Sequence, residues 1–237
     1  MHRFVLVAAV LALAPAKAEG DCMPSQLMTQ VIPKADTAIP SDGGILVAAT
    51  VSGSYDPANG GKGSAEVVQP KWRLRSGKTA VAPKIDVLAP GLAVYRIRAE
   101  SQTAPITLED DSGKVVASVT ASKSKLAAYP APKIKKLEYI ATLSRRSSQR
   151  IEATLEVEPA KMTYAIVIAD AKGKPTSWGM TGTGLTQFPY MHSDCGSLPN
   201  GTSIPKPGDI VTLFYVDSTG RRSGASKPMK LGGKLPY

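Results

Sequence analysis

Over much of the chain, hydrophobic and polar residues alternate with a period of two, which puts successive side chains on opposite faces of an extended strand. In Lys71–Arg75 the apolar pair Trp72 and Leu74 alternates with Lys71, Arg73 and Arg75, so the apolar pair faces a core and the cations face water. Arg150–Glu158 does the same with Ile151, Ala153, Leu155 and Val157 against Glu152, Thr154, Glu156 and Glu158. Further on in the first half, Val94, Arg96 and Arg98 share one face and Tyr95 and Ile97 the other. The pattern predicts strands at Ile45–Ser52, Glu66–Gln69, Lys71–Arg75, Val81–Leu88, Leu92–Ala99, Pro105–Glu109 and Val115–Ser122. A second set is expected at Ile134–Ser144, Arg150–Glu158, Thr163–Asp170 and Ile210–Val216, with a weaker strand at Ser226–Lys230. Turn chemistry punctuates them: Gly53–Gly63 (GSYDPANGGKG), Asp110–Gly113, Ala171–Lys174 and Asp217–Gly220. Between Thr163–Asp170 and Ile210 the pattern lapses, and Ser177–Ser203 reads as a long loop.

Such spacing predicts an all-β protein, and seven short strands in fewer than a hundred residues suggest a sandwich. Ala127-Ala128-Tyr129-Pro130-Ala131-Pro132-Lys133 is a short, stiff, proline-containing connection. The expected organisation is therefore two tandem β-sandwich domains, 40–127 and 134–237, joined by a linker at 128–133. Ahead of them lies a lead-in, 19–39, read as a tether with one helical turn around Ser25–Thr29 that Pro33 stops.

Residues 1–18 have the order of a secretory signal: Met1-His2-Arg3, an apolar run from Phe4 to Ala14, then Ala16-Lys17-Ala18. That run is too short for a permanent span, which needs about 20 apolar residues. Cleavage after Ala18 is expected, leaving a periplasmic or secreted chain with no transmembrane segment. Only two cysteines occur, Cys22 and Cys195, and an oxidising compartment favours one disulfide between them, worth on the order of 4–5 kcal/mol in the chain-entropy picture. A free thiol or an intermolecular bridge is the alternative.

Composition supports folding into a core, with 43% hydrophobic and 20% charged residues, while 21 glycines and 19 prolines favour turns over long helices. Formal net charge is +10, and the excess is uneven: residues 19–132 carry 12 basic and 11 acidic side chains, residues 133–237 carry 15 and 8. An envelope protein or an anionic glycan or lipid surface would thus meet the second half first; the alternative is that the charge serves only solubility. Nucleic acid is not expected, since no arginine-rich element interleaved with aromatics is visible.

The stretch Pro207-Gly208-Asp209-Ile210-Val211-Thr212-Leu213-Phe214-Tyr215-Val216-Asp217-Ser218-Thr219-Gly220-Arg221-Arg222-Ser223 resembles the penultimate strand and hairpin of bacterial immunoglobulin-like and fibronectin type III-like domains. Leu88-Ala89-Pro90-Gly91 followed by Tyr95 is a looser counterpart, similar to the approach to a tyrosine corner. The resemblance covers about a third of the chain and implies fold, not function.

No residue set commits the chain to catalysis, a metal or a cofactor. Apart from His2, the one histidine is His192, in Tyr190-Met191-His192-Ser193-Asp194-Cys195, and any hydrolase mechanism would run through it. Three ligands packed into four residues match no usual zinc spacing. Asp110-Asp111 belongs to a turn, and Gly182-Thr183-Gly184 lacks the ending of a phosphate loop. Candidate partner-binding residues are the aromatics of the long loop, Trp178, Phe188, Tyr190 and His192, with the cations Arg221 and Arg222. The alternative use of those aromatics is to plug the end of the sandwich or the seam between domains. The expected function is non-enzymatic binding by an exported protein; a periplasmic two-domain assembly chaperone and a hydrolase with its site near His192 are the competing readings.

Overall fold

A computed structural model describes residues 26–33, 35–52, 72–97, 105–125, 127–142, 148–181, 185–190 and 205–234. The expected signal at 1–18, Cys22, Cys195, His192, Gly53–Gly63 and the expected strand at Glu66–Gln69 lie outside them. The described residues are all β. The first half contributes β1 (Gln26–Ile32), β2 (Ala35–Ile39), β3 (Gly44–Ser52), β4 (Arg73–Ser76), β5 (Thr79–Val81), β6 (Lys84–Ala89), β7 (Leu92–Arg96), β8 (Ile106–Glu109) and β9 (Val115–Ala121). The second contributes β10 (Ile134–Thr142), β11 (Ser148–Leu155), β12 (Thr163–Ala169), β13 (Pro175–Met180), β14 (Leu185–Tyr190), β15 (Ile210–Asp217), β16 (Met229–Lys230) and β17 (Gly232–Gly233).

These strands make four sheets, ordered β1-β3-β7-β6, β2-β9-β8-β4-β5, β13-β12-β15-β16 and β14-β11-β10-β17. Pairing is antiparallel except for β2 on β9 and β17 on β10. The sheets stack in four layers with three apolar cores between them. In the first half, Ile45, Val47 and Tyr95 pack against Trp72, Leu74, Ile106, Leu108 and Val119. In the second, Ile166, Ile168, Leu213 and Tyr215 meet Leu137, Tyr139, Ile151 and Ala153. The third core joins the halves: Leu46, Ala48, Leu92 and Val94 meet Ala165, Val167, Ala169, Phe214 and Val216.

Period-two alternation explains the outer sheets, where one face is wet. It also explains why β3, β7, β12 and β15 read as almost continuous apolar runs: Ile45–Ala49, Leu92–Tyr95, Ala165–Ala169 and Leu213–Val216 are buried on both faces. Tyr95 and Ile97 face the first core while Val94 faces the third, as the alternation requires.

Several elements differ from the sequence expectation. The stretch expected as a tether instead supplies β1, which pairs along its length with β3, and β2, which pairs with β9. Local sequence favoured a helical turn there, and pairing with a neighbouring strand overrides so weak a preference. The single strand expected at Val81–Leu88 is two strands in different sheets, parted at Ala82-Pro83, where the missing proline N–H interrupts a ladder. The long loop expected at Ser177–Ser203 contains the rest of β13 and all of β14. Both are sheet edges, and an edge tolerates the Pro189 and the glycines that disguised them.

Candidate functional site

Three hairpins share the sequence Asp-x-x-Gly-Lys/Arg and one geometry: Asp110–Lys114, Asp170–Lys174 and Asp217–Arg221. In each, the Asp Oδ1 accepts the backbone N–H groups two and four residues on. In each, the glycine N–H donates to the aspartate carbonyl and the glycine has positive φ, at 83°, 78° and 71°. This is a turn closed by a left-handed residue, which glycine adopts without steric penalty. Asp110 is half-buried, and its carboxyl is held below the usual range first by the Ser112 hydroxyl and then by the two backbone donors.

The third turn sits at the seam between the halves. Asp217 is fully buried and Arg221 nearly so. The Arg221 Nε donates to Asp217 Oδ2 at 2.8 Å, and its Nη1 donates to the Ala127 carbonyl at 3.1 Å and lies 3.7 Å from Asp42 Oδ2. One guanidinium thus ties together the β2–β3 turn, the connection between the halves and the β15 hairpin. Its carbon lies 5.9 Å from the centre of the Tyr129 ring, which stacks on Tyr215 and shares a short hydrogen bond with Thr163. Burial is the main reason the Tyr129 phenol is pushed up to about 12. The Gly44 N–H donates to the Thr219 carbonyl at 2.7 Å, and a Cβ on Gly220 would stand 2.6 Å from Val94.

Trp178 lies at another part of the same seam. Its indole N–H donates to the Pro90 carbonyl at 2.9 Å, and its ring is 6.4 Å from Tyr164, whose hydroxyl donates to Gln30. Arg222 lays its guanidinium 3.7 Å from the centre of the Phe214 ring, a member of the third core. Partial burial draws its pKa downward. Trp178, Arg221 and Arg222 therefore make contacts within the chain, and the seam that was the alternative place for the aromatics is where Trp178 lies. Phe188 and Tyr190 belong to β14, at register positions opposite Ile151 and Gln149.

At the opposite end of β12 and β15 is a feature not read from the sequence. The Asp170–Lys174 hairpin and the turn at 206–209 flank an open cleft of about 360 Å³. Ala171, Pro205, Ile210 and Val211 give it an apolar floor, and the exposed Lys172 and Lys206 stand on its rim. The nearby carboxylates support the backbone: Asp170 caps its own hairpin, and Asp209 Oδ2 accepts the Lys206 N–H at 2.7 Å. The Thr176 hydroxyl donates to the Ile168 carbonyl. The sequence signalled only the Ala171–Lys174 turn, because the walls of the cleft, at 170–176 and 205–211, are separated by most of β13 and all of β14.

No known family matches the sequence, and no curated protein is similar enough to count as a relative. Among solved structures, the chain is similar to SGBP-B of the Bacteroides ovatus mixed-linkage glucan utilization locus, solved in complex with a mixed-linkage heptasaccharide. Identity is 13% and the TM-score 0.21, over 90% of this chain and 48% of that one, so this chain spans about half the length of that protein. A likeness this low carries no argument about ligand or activity.

Proposed function

We propose that the chain is an exported, non-enzymatic binding protein whose basic second half meets an envelope or extracellular partner. In this reading residues 1–18 are removed, and two immunoglobulin-type sandwiches, the first being 40–127 with β1 and β2 added ahead of it and the second 134–237, are joined at 128–133. Strand order supports it: β1-β3-β7-β6 facing β2-β9-β8-β4-β5 is the A-B-E-D and A′-G-F-C-C′ order of an immunoglobulin domain. In the second half β14-β11-β10 and β13-β12-β15-β16 follow the E-B-A and C′-C-F-G order of the fibronectin type III relatives.

The observation that carries the functional reading is the third core. Seams between sandwiches are common places for a substrate cleft. Here the facing sheets close on each other through Leu46, Leu92, Val94, Val167, Phe214 and Val216. A stack joined in this way has little freedom to open and shut on a substrate. It suits presentation of a fixed surface, and the excess positive charge lies on the second half.

Chemical crosslinking in the native envelope at low and high salt tests this. The expected result is a discrete protein partner crosslinked through residues 134–237. Release by salt with no discrete partner would overturn it in favour of adsorption on an anionic glycan or lipid. A captured subunit awaiting assembly would select the chaperone alternative, and a hydrolytic activity abolished by His192→Ala would select the enzyme.

A further inference from the structure

We draw no further inference here: the strongest candidate, the exposed apolar pair Ile85 and Val87 on β6, the last strand of its sheet among the described residues, carries no docking site, because nothing in the structure shows what covers it.

Discussion

Asp217 and Asp170 occupy the same place in the same turn, yet their surroundings give them different weight. Asp170 is half-buried, and its Oδ1 holds only its own hairpin. Asp217 is at zero exposure and holds Arg221, which in turn reaches Asp42 and Ala127. Removing one member of a buried ion pair strands the other, so Asp217→Asn should cost about 3–5 kcal/mol in urea unfolding. Asp170→Asn should stay within about 1 kcal/mol, and adding Arg221→Met to Asp217→Asn should recover part of the loss. The paired glycines give a second contrast. Gly173 and Gly220 both have positive φ, so alanine at either is strained by about 1–2 kcal/mol. At Gly173 the new methyl meets open space, whereas at Gly220 it collides with Val94. Gly220→Ala should therefore be clearly the more destabilising in the same assay. Tyr129 adds a pH signature. Its phenol ionises near 12 in the folded protein against an ordinary value of 10.0, so the folded state holds that proton longer than the unfolded chain. The contribution is complete below about pH 10 and is lost between about pH 10 and 12. A titration of tyrosinate absorbance should show a late step that Tyr129→Phe removes.

Strands announced themselves in the sequence wherever their own residues decided the outcome. Trp72 and Leu74 are buried as the alternation of Lys71–Arg75 demands, and Ile151, Ala153 and Leu155 line the second core. All three Asp-x-x-Gly turns were legible because aspartate and glycine each have a local job there. Strands whose existence depends on a distant neighbour were not: β1 is made a strand by β3, and β14 by β11. The candidate site fared likewise. Trp178 was conspicuous for its chemistry, but Pro90, 88 residues away, gives it an internal hydrogen bond, and no local pattern reveals such a partner. The cleft escaped notice because lysines in turns look like ordinary solvated residues. Beside β15 the chain uses another device. Ser226 Oγ accepts the Leu213 N–H and Ser223 Oγ accepts the Tyr215 N–H, while the serine N–H groups return bonds to the same residues. Two short side chains thus complete the ladder where regular strand pairing stops. Ser223→Ala or Ser226→Ala should leave a buried N–H unpaired and lower stability by about 1–3 kcal/mol each. Faster amide hydrogen exchange at Tyr215 or Leu213, respectively, would report the loss at its source.

Joined through the third core, the two halves should behave as one cooperative body. Buried aliphatic side chains are worth about 1.5–3 kcal/mol each, so the Leu46, Leu92, Val94, Val167, Phe214 and Val216 contact is large against the marginal stability of a domain, about 5–15 kcal/mol. Thermal unfolding should show a single transition by calorimetry. Val167→Asp, which puts a charge into the joint without touching the outer two cores, should separate it into two transitions or lower the whole of it steeply. Two separate transitions in the unaltered protein would show the halves to be independent. The joint also bears on biosynthesis. A ribosome releases residues 26–121 well before Phe214 and Val216, so the newborn first half must wait with Leu46, Leu92 and Val94 bare to water. Until its counterpart arrives it presents an adhesive apolar plate. Synthesis that stalls or is cut short within the second half should therefore yield clumped fragments rather than a soluble first half, and quality control would have to guard the chain through that interval.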